Sequence, residues 1–309
     1  MNLSTNDKAP GIKTTAYAEH KSVTVNDADY VYLEAGGGDT VFLLHGYPDN
    51  AYSWEHQIRY LSKAGYRVIA PFLRGYAPTT THGKAYFDRA TLARDVASLI
   101  DVINNGEPVF LVGQDWGAAV SYGVLGAYPE KIRRALVLAV PHPVEVVRTL
   151  KRSPRHIIRS FHWFLFQLPW LPERIIRFNK GRFLRFLWNL WSPNFNDHEH
   201  LDHIVTTQLT GSVVEDTIAY YRAATQLSYR DPALKPIFDR LNDIITKPTR
   251  VLCGTRDMRK EMLPRARDLF AASADYQFGL IEGAGHFLHR EKPASVNREI
   301  VEWFKPQDN

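Results

Sequence analysis

Short apolar runs alternate with amphipathic stretches along most of this chain. The clearest begins at Val109-Phe110-Leu111-Val112, long enough for a strand buried on both faces. It continues through Gly113-Gln114-Asp115-Trp116-Gly117 and becomes a small-residue helical pattern, Ala118 to Ala127, that stops near Pro129. Thr40–Leu44 and Ala135–Val140 predict further buried strands, and Tyr66–Ala70, Thr249–Cys253 and Tyr276–Ile281 predict strands. His20–Asn26 and Tyr30–Glu34 alternate like antiparallel strands joined by a turn at Asn26-Asp27-Ala28-Asp29. Residues 1–19 read as a tail or leading arm. Helices are expected at 54–64, 90–104 and 293–304. This rhythm predicts an α/β fold with a mostly parallel sheet and helices on both faces. Residues 144–245 break it, reading as helices interrupted near prolines 154, 169, 172 and 193, with no strand. The expected organisation is a core from 1–143 and 246–309, with a helical lid, or cap domain, inserted at 144–245.

Composition narrows this picture modestly. The apolar share of 45% and charged share of 23% are those of a soluble globular protein. One cysteine, Cys253, excludes an internal disulfide and fits a reducing, cytoplasmic setting. Met1–Gly11 lacks an apolar core, so no secretory signal is expected. No run reaches membrane-spanning length. The net charge of +5 is uneven: between Arg148 and Arg185 stand ten Lys or Arg and one acid, Glu173. Trp163, Trp170, Trp188 and Trp191 lie in or just after that stretch. It marks the lid as a distinct segment and raises the alternative of a surface that docks on a membrane or a partner. No nucleic-acid partner and no stable membrane insertion are expected; a monomer or homodimer is.

The chemistry centres on Asp115. Strand, tight turn and helix form the setting of a nucleophile elbow, usually written G-x-S-x-G. Gly113 and Gly117 keep side chains out of a sharp turn, and the residue between them is a carboxylate. A carboxylate attacking an ester or amide gives an anhydride, a poor intermediate. Attacking a saturated carbon, it gives an ester that water can later cleave. An alkyl electrophile, an epoxide or a carbon–halogen bond, is therefore implied. The loop His45-Gly46-Tyr47-Pro48-Asp49 follows an early strand and is expected to supply one oxyanion-hole N–H, that of Tyr47; the other is that of Trp116. Asp257 and His286 follow later strands in the order nucleophile, acid, histidine. Asp257 would orient His286, which would take a proton from the hydrolytic water. Asp197-His198-Glu199-His200 with His203 lacks the H-E-x-x-H spacing and reads as a solvated lid surface, so no metal or cofactor is expected.

These motifs together resemble the Asp-nucleophile branch of the α/β-hydrolase superfamily, the epoxide hydrolases and dehalogenases. The matching stretches are HGYPD at 45–49, SWEHQ at 53–57, APFLRGYAP at 70–78, GQDWGA at 113–118, VPHP at 140–143, FQLPWLPE at 166–173, YYR at 220–222, GTRD at 254–257 and GAGHF at 283–287. The resemblance implies an α/β-hydrolase fold with an inserted cap and a small-molecule substrate. It also implies two lid donors that hold an epoxide oxygen. Tyr221 matches one; His162 stands where the other is commonly Tyr, a His–Tyr pair similar to that of some bacterial epoxide hydrolases. Trp163, Trp54 and Phe287 are expected to line the substrate pocket.

The implied reaction is epoxide opening by Asp115 followed by hydrolysis to a diol. The alternative is a haloalkane or haloacid dehalogenase with the same nucleophile. Haloalkane dehalogenases pair the Trp with an Asn where this chain has Tyr47, and fluoroacetate dehalogenases carry arginines where it has Trp116 and Ala119. A non-catalytic ligand- or membrane-binding protein on the same fold is the alternative of another class.

Overall fold

The apolar runs are strands; in the central ones alternate side chains enter two separate cores, whereas Tyr276–Ile281 is an edge strand with Phe278 and Leu280 exposed. The computed structural model describes residues 13–305; residues 1–12 of the expected leading arm and 306–309 lie outside them. In chain order the strands are β1 (Glu19–Val25), β2 (Ala28–Gly36), β3 (Asp39–Leu44), β4 (Tyr66–Pro71), β5 (Thr80–Thr81), β6 (Val109–Gln114), β7 (Ile132–Leu138), β8 (Thr249–Gly254) and β9 (Tyr276–Ile281). They form one sheet in the order β1-β2-β4-β3-β6-β7-β8-β9, with β5 beside β2. From β4 to β9 along this path every pairing is parallel, whereas β1–β2 and β2–β4 are antiparallel. Asn26 and Asp27 both take positive φ (47° and 58°), the backbone of a tight two-residue hairpin turn, which explains the polar tetrapeptide there.

On β6, Val109 and Leu111 face one core, and Phe110 and Val112 face the other. The first core is covered by helices Arg89–Ile103 and Trp116–Ala127; the second by Glu55–Lys63 and Pro293–Phe304. Burying each Val or Leu fully contributes about 1.5–3 kcal/mol, so the two cores fix the register of the strands between them.

Between β7 and β8 the chain is helical, from Pro143–Arg152 to Lys235–Arg240. Pro154 and Pro172 sit in the first turn of short helices, where a missing N–H costs nothing. Strand β7 starts at Ile132, earlier than expected, and stops at Leu138, because Ala139 turns with φ 67°. Chain order reverses between β3 and β6: β4 lies on one side of β3 and β6 on the other. Such switch points open a crevice at the carboxyl ends of the strands.

Candidate active site

Asp115 follows β6 at that crevice and precedes helix Trp116–Ala127. Its backbone is held at φ 53°, ψ −115°, a strained region for a residue with a side chain. The surrounding glycines make this turn possible. A Cβ on Gly46 would lie 2.3 Å from Asp115 Cβ, and one on Gly117 would lie 2.0 Å from the Leu44 carbonyl oxygen. The chain is packed backbone to backbone where β3 and β6 end.

Asp115 Oδ1 accepts the Tyr47 N–H at 2.9 Å, and Oδ2 lies 3.2 Å from His286 Nε2. His286 Nδ1 is 3.1 Å from Asp257 Oδ2. Both His286 and Asp257 follow parallel strands, β9 and β8. The Trp116 N–H opens the helix, where no intrahelical acceptor exists. Burial alone would push the Asp115 carboxyl up, but His286 and Arg259 outweigh it and hold it below the ordinary value. Burial likewise works against protonation of His286, yet its hydrogen bonds to Asp115 and Asp257 carry its pKa above that of a free imidazole. Asp257 is pulled down to about 2: Arg259 and His286 overcome the opposing effect of burial.

Residues 41–299 match the profile of the alpha/beta hydrolase family. The chain belongs to that family. Within it, the chain is most like the epoxide hydrolases. It is 28% identical to human epoxide hydrolase 4, over 96% of this chain and 81% of the relative. It is 27% identical to epoxide hydrolase A of Mycobacterium tuberculosis, over 91% and 95%. The crystal structure of epoxide hydrolase A from Mycobacterium thermoresistibile superimposes with a TM-score of 0.76 at 26% identity, covering 93% of this chain and 98% of that one.

In this hydrolase the helical insertion covers the crevice with aromatic rings. Trp163 stacks on Trp116, with centroids 5.6 Å apart. The Tyr221 ring stands edge-on to Trp116 at 5.0 Å and to Tyr47 at 5.5 Å, and lies 5.8 Å from His162. Burial keeps the Tyr221 phenol well above its ordinary pKa, so it remains a donor. Burial, reinforced by Arg259, pushes His162 down to about 3; the ring is neutral, and its Nδ1 is buried with no hydrogen-bond partner. A cavity of about 310 Å³ is lined by Asp115, Trp116, Trp163, Phe164, Tyr221 and Arg259, among others.

Two expected pocket residues are elsewhere. Trp54 is fully buried in the core on the Glu55–Lys63 side, its ring 4.6 Å from that of His289. Phe287 is fully buried against Trp188, stacked at 3.8 Å. Each faces packing, away from the cavity. His162 sits behind it, against Trp191 at 5.0 Å and beside Tyr221. The acidic–histidine cluster also differs from the solvated surface expected. His200 is buried and reaches Asp49 Oδ1 at 2.8 Å, while Asp197 pairs with Arg290 at 2.6 Å. Its charges hold the insertion to the core.

Arg259 was not singled out in the sequence. Its Nη1 lies 3.2 Å from Asp257 Oδ2 and 3.0 Å from His286 Nδ1, so a guanidinium stands in the acid–histidine contact. Arg256, three residues earlier in the same polar loop, carries the same sequence signal. Only the turns of Met258–Leu269 distinguish them. Ser192 and Gln114 were also missed. The His286 N–H donates to Ser192 Oγ at 3.0 Å, and Gln114 Nε2 lies 3.2 Å from His286 Nε2.

Proposed function

We propose that this hydrolase opens epoxides to diols through a covalent Asp115 ester. The observation that carries the reading is a carboxylate at the elbow, with one oxygen on the Tyr47 N–H and the other facing His286. In the first step Asp115 Oδ2 bonds to an epoxide carbon as the carbon–oxygen bond breaks. The leaving oxygen, an alkoxide, takes a proton from the Tyr221 phenol, which burial keeps protonated until that step; the neutral His162 ring, 5.8 Å from that of Tyr221 and outside the cavity lining, backs this donor. In the second step water attacks the Asp115 carbonyl carbon while His286, oriented by Asp257, takes its proton. The negative charge develops on Oδ1, where the N–H groups of Tyr47 and Trp116 stabilise it. On collapse His286 returns its proton to the departing Oδ2 and the diol leaves; the water oxygen stays in Asp115, whose regenerated carboxyl passes the second water proton to the Tyr221 phenolate and restores the phenol. The helical segment 144–245 serves as the cap that excludes bulk water, and Trp163 forms the substrate wall. No cofactor enters this cycle.

The names of the relatives add weight to this substrate class over other alkyl electrophiles. The test is a single turnover in heavy-oxygen water over a panel of epoxides, haloalkanes and haloacids. Label in the Asp115 peptide with an unlabelled first diol is expected. Label in the first diol with none in Asp115 would overturn the covalent route. Release of halide with no diol from any epoxide would overturn the substrate class.

A further inference from the structure

Of the fifteen large apolar side chains that stand exposed among the described residues, nine lie between Val147 and Leu190, on the insertion. The same segment carries most of the chain's excess positive charge. Lys151, Arg152, Arg155, Arg159, Arg174 and Arg182 have no acidic partner within 4.0 Å among the described residues.

The apolar and basic groups share one surface. On helix Arg182–Trp191, Arg182, Phe186 and Leu190 recur every four residues and all face outward, Phe186 at 52% and Leu190 at 44% exposure. The Phe186 ring lies 6.3 Å from Phe161, which begins the short helix that ends in Leu165 and holds Phe164. Leu190 and Arg159 line one surface depression. Ile158, the residue before Arg159, is 73% exposed. This surface adjoins the cavity: Val147 and Phe164, each about half exposed, line the same space as Asp115.

We propose that this face docks on an anionic phospholipid bilayer, with the mouth of the cavity turned toward the lipid. Apolar side chains ringed by unpaired Lys and Arg are the composition of interfacial helices, which combine burial at the headgroup boundary with attraction to anionic lipid. Charge decides against a second copy of this chain. In a two-fold dimer the same patch faces itself, and these cations would meet their own equivalents. A bilayer of anionic lipid supplies the missing counter-charge over the whole face. The geometry also gives the mouth a use: an apolar substrate dissolved in the bilayer reaches Asp115 without crossing water.

The experiment is sedimentation of the full chain with vesicles, without substrate, so its outcome is independent of the reaction assigned above. Vesicles of phosphatidylcholine with one-third phosphatidylglycerol are compared with phosphatidylcholine alone. Binding only to the anionic vesicles is expected, lost at high salt and weakened about ten-fold or more in Arg159→Glu/Arg182→Glu, since each cation near the surface contributes measurably. Phe186→Ser and Ile158→Ser should each weaken it as well. Unchanged melting temperatures would certify that these exposed substitutions leave the fold intact, and the salt titration of the unaltered chain needs no variant. No binding to anionic vesicles at low salt would overturn the proposal. So would binding that none of the substitutions affects, or a solution dimer that Phe186→Ser dissociates.

Discussion

His286 lies between two carboxylates, Asp115 at 3.2 Å and Asp257 at 3.1 Å, and that pair decides how the site titrates. In the resting protein both carboxylates favour the imidazolium and raise its pKa despite burial. In the proposed cycle the Asp115 ester carries no charge, and only Asp257 still favours the proton. The base is thus freed at the step that needs it. Titrating the His286 ring by NMR should give a value above about 6.5 in the resting protein. Hydrolysis of the trapped ester should titrate at a lower pH, its rate falling as pH falls through that value. Arg259 works in the opposite direction, lowering the His286 pKa. Arg259→Met should therefore raise it and move the acid limb of hydrolysis to higher pH; an unmoved limb would mean the guanidinium only packs. Asp257→Asn should slow ester hydrolysis on the order of 10⁴-fold and let the ester accumulate as a mass increment on the Asp115 peptide. That Asp115, Asp257 and His286 stand at neighbouring strand ends was legible in the sequence because each sits in the polar or glycine-rich turn within five residues after an apolar run. Arg259 was not, since nothing local separates an arginine turned inward from one turned out.

The turn around Asp115 belongs to two strands and one helix together, and its glycines divide by what surrounds them. At Gly117 a Cβ would meet the Leu44 carbonyl at 2.0 Å, backbone against backbone, and one of them must move. Gly117→Ala should destabilise the protein by about 1–3 kcal/mol. It should also pull the Tyr47 N–H away from Asp115, so activity in the folded fraction falls further than stability. Gly123 lies on the same helix, and a Cβ there would press closest on side chains, Leu241 at 3.2 Å and Ala93 at 3.3 Å, with the Arg89 carbonyl at an ordinary 3.8 Å. The helix gains about 1 kcal/mol from Ala over Gly, so Gly123→Ala should be near neutral by thermal unfolding with full activity. Equal losses at the two positions would mean the elbow has no special claim on its glycine. At this scale the sequence showed strand and helix order well, because buried runs and amphipathic periods are local patterns. It failed for Trp54 and Phe287. Periodicity marks an aromatic as inward-facing, but whether inward means a packed core or a cavity depends on partners far along the chain, His289 and Trp188.

The insertion and the core meet through a buried polar cluster beneath the loop at 45–49. Asp49 is fully buried; its Oδ1 accepts from the Asn50 N–H at 2.9 Å and from His200 Nε2 at 2.8 Å, and its Oδ2 from Ser53 Oγ at 2.5 Å. His200 comes from insertion helix His198–Gln208, and Gln208 Nε2 donates to the Pro48 carbonyl at 2.8 Å. The loop that presents the Tyr47 N–H is therefore keyed to the insertion by two residues of one helix. Burial works against the Asp49 charge, but His200 more than offsets it and holds the carboxyl well below the usual range. Its contribution is thus present above the unfolded carboxylate pKa of about 3.9 and is lost as pH falls below that through the folded value. At neutral pH, His200→Leu leaves a buried carboxylate with one partner fewer. The expected cost is about 3 kcal/mol in urea unfolding, with a rise in KM as the covering helices loosen. Asp49→Asn in the same background removes the uncompensated charge and should restore part of that stability. A single variant as stable as the parent at pH 7 would mean that the insertion is held by its aromatic contacts alone, with Trp163 on Trp116 and Tyr220 on Phe87 carrying the interface.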